Sequence, residues 1–332
     1  MTWDVAGLGN AIMDALVVLE DDSLLHELGL TRGTMHPVDH ARWQEVYERV
    51  RLHKVTFDSG GSCANTIATA GRLGARTRYC GQVGDDQMGR MYASLITQAC
   101  GGHHLAFSDS EPTGKCLSII SQSDAERTML TDLGASINLA NTGDFAEALS
   151  STRIAHFTGY TLLGGPVKET ALGAMVTAQQ AGALVSIDAA DPFVVDQTRD
   201  ELWRVLREVA SIAFLNEVEA KALAGRDDPM EAVHHISEEA GLDYTVVKLG
   251  KRGSLVLHDG AVARIPIKAV KAIDTTGAGD AYAGGFLYGL SQGWEPERCG
   301  QLATRVAALT VAQIGAVVKS QEQLDQAIAE VS

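Results

Sequence analysis

The sequence predicts an α/β fold built on a mostly parallel sheet, with a second, smaller β-sheet beside it. Short apolar segments alternate with longer amphipathic ones, which is the order that covers a parallel sheet with helices. Two β-rich stretches, in contrast, lack intervening helices. The chain has 332 residues, of which 45% are hydrophobic, and neither a repeat nor a linker divides it. We therefore predict a single domain over residues 1–332 with one sizeable core.

The individual elements follow in order along the chain. Short apolar segments predict strands at Val5–Leu8, Arg78–Val83, Ile154–Phe157, Leu184–Ile187, Ile212–Leu215 and Thr245–Lys248. Longer segments predict helices at Ser62–Leu73, Pro166–Ala181, Glu217–Ala224, Gly279–Ser291 and Pro296–Gln313.

The two β-rich stretches predict a small subdomain. Ala15–Leu19 forms one of them, and Lys115–Gln122 together with Thr128–Leu133 forms the other. We expect residues of about 15–38 and 104–133 to make a small sheet that stands off the main body. A flap of this kind is typical of an active-site lid.

Composition limits the class of partner. The formal charge of −15 argues against a nucleic-acid or anionic-membrane surface. No apolar run approaches the roughly 20 residues of a membrane span. Asp4 interrupts the first residues and no basic segment precedes it, so we expect no signal peptide. The five cysteines lack metal-ligand or redox spacing, which fits reduced thiols in a cytoplasmic protein. A monomer and a homodimer paired through the lid are both compatible with the sequence.

The most informative stretch is D-T-T-G-A-G-D at residues 274–280, directly before an apolar segment. Small residues at a helix start let successive backbone N–H groups point at an anion, and the helix dipole adds to the attraction. Asp280 would repel a phosphate there unless a carboxylate has another task. Accepting a proton from an attacking hydroxyl is such a task. The alternative is that Asp280 only stabilises the helix N-terminus.

Two other nucleotide-binding patterns are excluded. Gly7 and Gly9 follow the first strand, but Ile12 stands where a dinucleotide fingerprint needs its third glycine. The sequence also lacks G-x-x-x-x-G-K-[ST], so it is not a Walker-type nucleotide binder.

The stretch at 274–280 closely resembles the C-terminal signature of the ribokinase/PfkB family of sugar and nucleoside kinases. G-G-S-C-A-N at residues 60–65 resembles the family's G-G-x-x-x-N, and N-E-V-E at 216–219 resembles its N-x-x-E. The resemblance covers essentially the whole chain. It implies a ribokinase-like three-layer α/β/α fold with a β-sheet lid, phosphoryl transfer to an alcohol group, ATP and Mg²⁺ as cofactors, and in several members a monovalent cation such as K⁺.

The resemblance also assigns roles at the phosphate end. Asp280 is the general base, with the N–H groups of Gly277, Ala278 and Gly279 as the anion hole. Asn216 and Glu219 organise Mg²⁺, largely through water, and Asp274 helps to bind the monovalent cation. The nucleotide-binding residues are Asn216, Lys248, Gly250, Gly253 and Thr276. Lys248 stands where the family usually has Thr, and it can serve a phosphate as a point charge.

At the substrate end, Asp14 resembles the family's carboxylate that accepts hydrogen bonds from two sugar hydroxyls. Asn10, Gly60, Gly61 and Asn65 resemble its partners around the sugar. A glycine also lets a ligand approach the backbone closely. From the residues alone, the alternative is that Asn65 is an ordinary helix-start residue.

The N-terminal half is most similar to the adenosine-kinase branch. The shared features are G-N-A-I-M-D at 9–14, P-T-G-K-C at 112–116, E-R-T-M at 126–129 and F-T-G-Y at 157–160. This branch implies Arg127 as a cation near the phosphates, Met129 over a base, and Tyr160 or Phe157 as a stacking face. Met129 and Phe157 could also be ordinary core residues. A nucleoside acceptor is therefore predicted first, with a sugar of the ribose, fructose or 2-keto-3-deoxygluconate type as the alternative.

Overall fold

A computed structural model describes residues 2–123, 126–267 and 270–331. The strands are β1 Trp3–Leu8, β2 Ile12–Leu19, β3 Met35–Pro37, β4 Val55–Gly60, β5 Thr77–Gly84, β6 His103–Ser108, β7 Gly114–Ser121, β8 Arg127–Asp132, β9 Thr152–Thr158, β10 Leu184–Asp188, β11 Ile212–Asn216, β12 Tyr244–Lys248, β13 Ser254–His258 and β14 Ala261–Ile265. The α-helices are α1 Ser23–Glu27, α2 His40–Val50, α3 Ser62–Arg72, α4 Gln87–Cys100, α5 Phe145–Leu149, α6 Pro166–Gln180, α7 Pro192–Glu208, α8 Glu217–Ala224, α9 Pro229–Ala240, α10 Ala278–Ser291, α11 Pro296–Val311 and α12 Gln321–Ala329. The predicted α/β class is confirmed.

The larger sheet has the order β14-β13-β12-β11-β10-β9-β1-β5-β6. Pairing is parallel from β12 to β6, and the last two strands are added antiparallel. Helices cover both faces, as β11 illustrates. Phe214 packs against Tyr282 and Phe286 of α10, in the core cluster shared with α3, α4 and α11, whereas Leu215 belongs to the cluster on the α5–α9 side. Burial on both faces explains why the strands read as continuous apolar runs rather than as alternating ones.

The parallel strands bring polar residues from distant parts of the chain to one edge. Because β1, β10, β11 and β12 run in the same direction, their carboxyl ends meet there. Asn10 follows β1, and Asp188, Asn216 and Lys248 end the other three strands. A crevice outside these carboxyl ends is where open α/β sheets bind ligands.

The smaller sheet has the order β3-β8-β7-β2-β4. One face packs under α2, where Trp43 and Val46 contact Val17 and Leu117. The opposite face is turned towards the carboxyl edge of the large sheet. Alternation along each strand therefore places apolar residues under α2 and leaves the other side chains free to line a cleft.

The boundaries of this subdomain differ from the predicted ones. β4 belongs to the smaller sheet, although it lies outside the predicted ranges 15–38 and 104–133. β6 lies almost wholly within the second range, yet it pairs with β5 and extends the large sheet. Strand pairing is a long-range contact, so a β-rich segment does not reveal which sheet it joins.

All five cysteines are free and buried. Among the described residues, no helix combines the length and the apolar character needed to cross a bilayer.

Candidate active site

A cleft of about 1870 Å³ separates the two sheets. Nearly all the predicted site residues line it, namely Asn10, Asp14, Gly61, Asn65, Arg127, Met129, Tyr160, Asn216, Glu219, Lys248, Gly250, Gly253, Thr276, Gly277, Ala278, Gly279 and Asp280. Gly60 and Asp274 are not among its lining residues; Gly60 adjoins Asp14, and Asp274 accepts from the N–H groups of Thr276 and Gly315. The fold therefore gathers residues that span most of the chain.

The cleft wall opposite the small sheet contains the start of α10. Gly277 precedes the helix with φ of 68°, in the left-handed region that glycine adopts readily. A Cβ there would lie 2.4 Å from the Cβ of Ala316. The first N–H groups of a helix have no intrahelical partner, so this helix start offers N–H groups to an anion.

Asp280 lies in the first turn of α10 and is held by α3. Ser62 Oγ donates to its Oδ1 at 2.7 Å, and Asn65 Nδ2 donates to its Oδ2 at 2.9 Å. Burial raises the pKa of Asp280, although these two hydrogen bonds oppose the shift. A fixed carboxylate with a raised pKa is a better proton acceptor near neutral pH.

Ser62 was not among the predicted site residues. It occupies an unspecified position of the G-G-x-x-x-N pattern, and its partner Asp280 is 218 residues away. Its placement at the first turn of α3, three residues before Asn65, is the one signal in the sequence that could have found it.

Asp14 lies half-buried on the cleft face of β2. Burial, together with repulsion from Asp58 and Asp280, raises the pKa of Asp14 to about 8. A Cβ at Gly60 would lie 2.1 Å from Asp14 Oδ2, so any other residue there would displace the carboxylate from this position. Gly61 has φ of 94°, and a Cβ there would lie 2.1 Å from the Asn10 carbonyl oxygen.

Two amide oxygens of residues that line the cleft have no hydrogen-bond partner among the described residues. These are Asn10 Oδ1 and Asn65 Oδ1, and both residues are at least nine-tenths buried. Asn10 Nδ2 donates to the Ser136 carbonyl at 3.3 Å, so the orientation of that amide is fixed. Buried acceptors without partners are unfavourable, and hydroxyl groups of a bound ligand can supply the missing donors.

A second cluster of charges surrounds the start of α8. Asn216 caps this helix, and its N–H donates to Glu219 Oε2 at 2.7 Å while its Oδ1 accepts from the Glu219 N–H at 2.9 Å. Burial raises the pKa of Glu219 to about 7; nearby Lys248 opposes this shift, and Asp188 adds to it.

Lys248 forms an ion pair with Asp188, with 2.6 Å between Nζ and Oδ2. Burial alone would lower the pKa of Lys248, but the carboxylates of Asp188, Glu219 and Asp280 together outweigh it and the net shift is upwards. The Nζ lies 3.1 Å from where a Cβ of Gly279 would be, so a fixed positive charge borders the first turn of α10. Asp188 was not among the predicted site residues either. Its position at the end of a buried strand is the signal that could have indicated it, because a carboxylate close to a strand was also what drew attention to Asp14.

The loop that follows β12 depends on its two glycines. Gly250 has φ of 57° and Gly253 has φ of 85°. A Cβ at Gly253 would lie 1.9 Å from the Ile265 carbonyl oxygen. The backbone of this loop therefore lies against the cleft in a conformation that other residues disfavour.

Arg127 reaches from the small sheet to the 274–280 loop. Its Nη1 donates to Thr276 Oγ1 at 2.5 Å, and its Nε lies 3.6 Å from Asp274 Oδ1. Asp274 itself is completely buried. The structure thus links a strand of the small sheet to the loop that precedes α10.

The two proposed stacking residues have different positions. Tyr160 follows β9 and lines the cleft, and burial with Asp191 nearby raises the pKa of its phenol. Phe157 is fully buried in the core between the large sheet and α6. The suggestion that Phe157 provides a stacking face is therefore wrong. Successive strand residues point to opposite sides, so Thr158 lines the cleft while Phe157 points into the core.

Residues 35–323 match the family model for "pfkB family carbohydrate kinase". The chain belongs to this pfkB family. It is 30% identical to an adenosine kinase structure from Sinorhizobium meliloti, with a TM-score of 0.90 and 100% of both chains covered. It is also 30% identical to a probable sugar kinase structure from Rhizobium etli CFN 42, with a TM-score of 0.91, over 100% of this chain and 99% of that one.

A fructokinase from Klebsiella pneumoniae is 28% identical to this pfkB-family chain over 255 residues, which are 75% of this chain and 82% of that protein. The predicted family and ribokinase-like fold are confirmed by these matches. As a pfkB-family kinase, the protein is a phosphotransferase that uses ATP and acts on a hydroxyl group. The names of its relatives divide between adenosine kinases and sugar kinases.

Proposed function

We propose that this pfkB-family kinase transfers the γ-phosphate of ATP to the hydroxymethyl group of a nucleoside such as adenosine. The observation that carries the nucleoside assignment is an apolar wall of the cleft. Met35 and Met129 on strands of the small sheet and Leu133 just after β8 form part of it, and Ile137 and Leu163, which lie outside that sheet, complete it. A flat base gains from burial against such a wall, whereas a free sugar has hydroxyl groups around its whole ring.

The ribose has its own set of partners in this proposal. The carboxylate of Asp14 accepts hydrogen bonds from two hydroxyls, and the open amide oxygens of Asn10 and Asn65 accept from others or from bridging water. Charge-assisted bonds of this kind are stronger than neutral ones. The hydroxymethyl group then points towards Asp280.

The chemical step follows from the charges around α10. Asp280 removes the proton of the hydroxymethyl group while the hydroxyl oxygen of that group forms a bond to the γ-phosphorus. The bond between that phosphorus and the β,γ-bridging oxygen breaks, and ADP leaves. The N–H groups of Gly277, Ala278 and Gly279, with Lys248 and Arg127 nearby, stabilise the negative charge of the phosphoryl oxygens. Closure of the small sheet as a lid would exclude water from the site.

The Asn216–Glu219 pair fits a hydrated magnesium ion. Both Glu219 oxygens already accept hydrogen bonds from Asn216, so the pair would hold water molecules of the ion rather than replace them. Burial raises the pKa of Glu219, which means that its ionised form is unfavourable there. A nearby cation would stabilise the ionised form. Bound Mg²⁺ would neutralise charge on the phosphates of ATP.

We expect Glu219→Gln to weaken the response to Mg²⁺. Loss of such an outer-sphere partner lowers metal affinity or activity by about 10–100-fold. The measurement is a Mg²⁺ titration of turnover at fixed ATP. Glu217→Gln is the matched control, because Glu217 lies on the same helical turn but pairs with Lys221 and Arg252 at the surface. An unchanged titration for Glu219→Gln would contradict this role.

The acceptor is tested by ATP consumption with adenosine, inosine, guanosine, cytidine, ribose, fructose and 2-keto-3-deoxygluconate. Turnover of a nucleoside with little turnover of sugars would support the proposal. Preferential turnover of a sugar would instead identify a sugar kinase of the same family, with Asp280 and Asp14 keeping their roles.

We expect Met129→Ala to separate the two acceptor classes. Truncating an apolar contact to the base should lower kcat/KM for the nucleoside by about 10–100-fold, while a free sugar does not reach this side chain. Steady-state kinetics with both acceptors provide the measurement. Met91→Ala, on the exposed side of α4, should change neither value. An equal loss for both acceptors would argue against base contact.

We further propose that this kinase acts on small molecules alone and is located in the cytoplasm. We propose that it is a monomer or a homodimer. Five free, buried thiols and a formal charge of −15 support this proposal. Light scattering and a nucleic-acid mobility-shift assay would test it.

A further inference from the structure

The loop before α10 begins at Asp274, whose carboxylate connects two segments of the chain. Its Oδ1 accepts from the Thr276 N–H at 2.9 Å, and its Oδ2 accepts from the Gly315 N–H at 3.0 Å. Asp274 is completely buried. It therefore fixes the start of the anion-hole loop against the residues that follow α11.

The family resemblance implies a monovalent cation at Asp274, and the described residues do not fit one there. Both carboxylate oxygens already accept backbone N–H groups. Oδ1 also accepts from the Thr276 hydroxyl, and the guanidinium of Arg127 lies beside it, with Nε 3.6 Å away. Arg127 is additionally bonded to Thr276 Oγ1 and lies 3.5 Å from Thr275 Oγ1. A second cation in this position would be repelled by the guanidinium.

We infer that Arg127 replaces a monovalent cation in this protein: its guanidinium neutralises Asp274 and holds the anion-hole loop in place. An arginine is charged at every physiological pH and fits a carboxylate and hydroxyl groups at once. Its side chain is only 20% exposed, so solvent screens the interaction little. In its contact with residues 274–280, Arg127 acts as a positioning residue. Its kinetic test rests on the proposed function.

This arrangement couples the loop to the lid. Arg127 is the first residue of β8, and β8 belongs to the small sheet. The contact of this cation with Asp274 is therefore made only while the small sheet is docked over the cleft, whereas a free ion would neutralise Asp274 in either state; the bond from the Gly315 N–H does not depend on the small sheet. Phosphate binding and lid closure become linked through one side chain.

The kinetic test compares K⁺ with N-methylglucamine at equal ionic strength. For the wild type, kcat and KM for ATP should agree in the two salts. Arg127→Ala should lose activity and gain stimulation by K⁺ of about tenfold, since an ion can then stabilise the exposed carboxylate. Arg127→Lys should keep cation independence, because an ammonium remains. Arg42→Ala is the control, since this lid arginine pairs with Glu45 on α2.

Two readouts do not need turnover, so they remain decisive even if no acceptor in the panel reacts. K⁺ should raise the Tm of Arg127→Ala but not that of the wild type. Crystals soaked in Rb⁺ should show an anomalous peak beside Asp274 only in the alanine variant. Strong stimulation of the wild type by K⁺, a Rb⁺ peak in the wild type, or an alanine variant without any cation response would each overturn the inference.

Discussion

Asp280→Asn should nearly abolish turnover while leaving the protein folded. Proton abstraction by a positioned base contributes about 10²–10⁴-fold to such reactions, and asparagine keeps the shape of the side chain without its basicity. Ser62 and Asn65 donate to the carboxylate, and the Asn65 amide can still find the oxygen of the new side chain. The measurement is kcat under saturating ATP and acceptor, with circular dichroism and Tm as checks on folding.

Asp196→Asn provides the comparison for Asp280→Asn. Asp196 also lines the cleft, but its side chain is exposed on α7 and has no proposed part in the reaction. Its turnover should stay close to that of the wild type. If Asp280→Asn kept turnover within about tenfold of the wild type, the general-base role would be excluded.

Asp14→Ala should abolish productive acceptor binding and leave ATP binding intact. The substitution removes two hydrogen bonds to a charged group, each contributing about 1.5–3 kcal/mol, so kcat/KM for the acceptor should fall by about 10²–10⁴-fold. KM for ATP should be nearly unchanged, because the proposed ATP site lies at the opposite end of the cleft. A parallel rise of both KM values would indicate a general disturbance of the cleft instead.

The pH dependence of acceptor binding follows from the same carboxylate. The pKa of Asp14 is raised to about 8 by burial and by nearby Asp58 and Asp280, so the free protein binds a proton there at neutral pH. Ligand hydroxyls donate to the ionised form and compete with that proton. Acceptor affinity should therefore increase as the pH rises through about 8.

Calorimetric titration of the acceptor without ATP isolates this effect from catalysis by Asp280. The wild-type Kd should decrease between about pH 6 and pH 9. Asp14→Asn cannot ionise, so its weaker affinity should be flat over this range. A wild-type affinity that is flat, or that weakens as the pH rises, would contradict the proposed role of the Asp14 carboxylate.

The sequence predicted those features that depend on local backbone conformation. D-T-T-G-A-G-D before an apolar helix predicted a helix start with open N–H groups, and Gly277 adopts the left-handed φ of such a start. Glu217–Ala224 was predicted with the bounds that the structure shows. Glycines, helix caps and apolar periodicity act within a few residues, so they can be interpreted without the rest of the chain.

Only the tertiary structure decided which charged groups meet. Ser62 donates to Asp280, which is 218 residues away in the sequence, and Lys248 donates to Asp188, which is 60 residues away. Arg127 lies on the small sheet and contacts Asp274 in the loop before α10. The same limit explains why β6 was assigned to the lid and why Phe157 was suggested for stacking. The direction of a side chain and its electrostatic partners depend on how sheets and helices pack over long sequence distances. Local patterns therefore predicted the family and the helix start at residues 274–280, whereas packing determined the charges around this loop and placed the guanidinium of Arg127 beside Asp274.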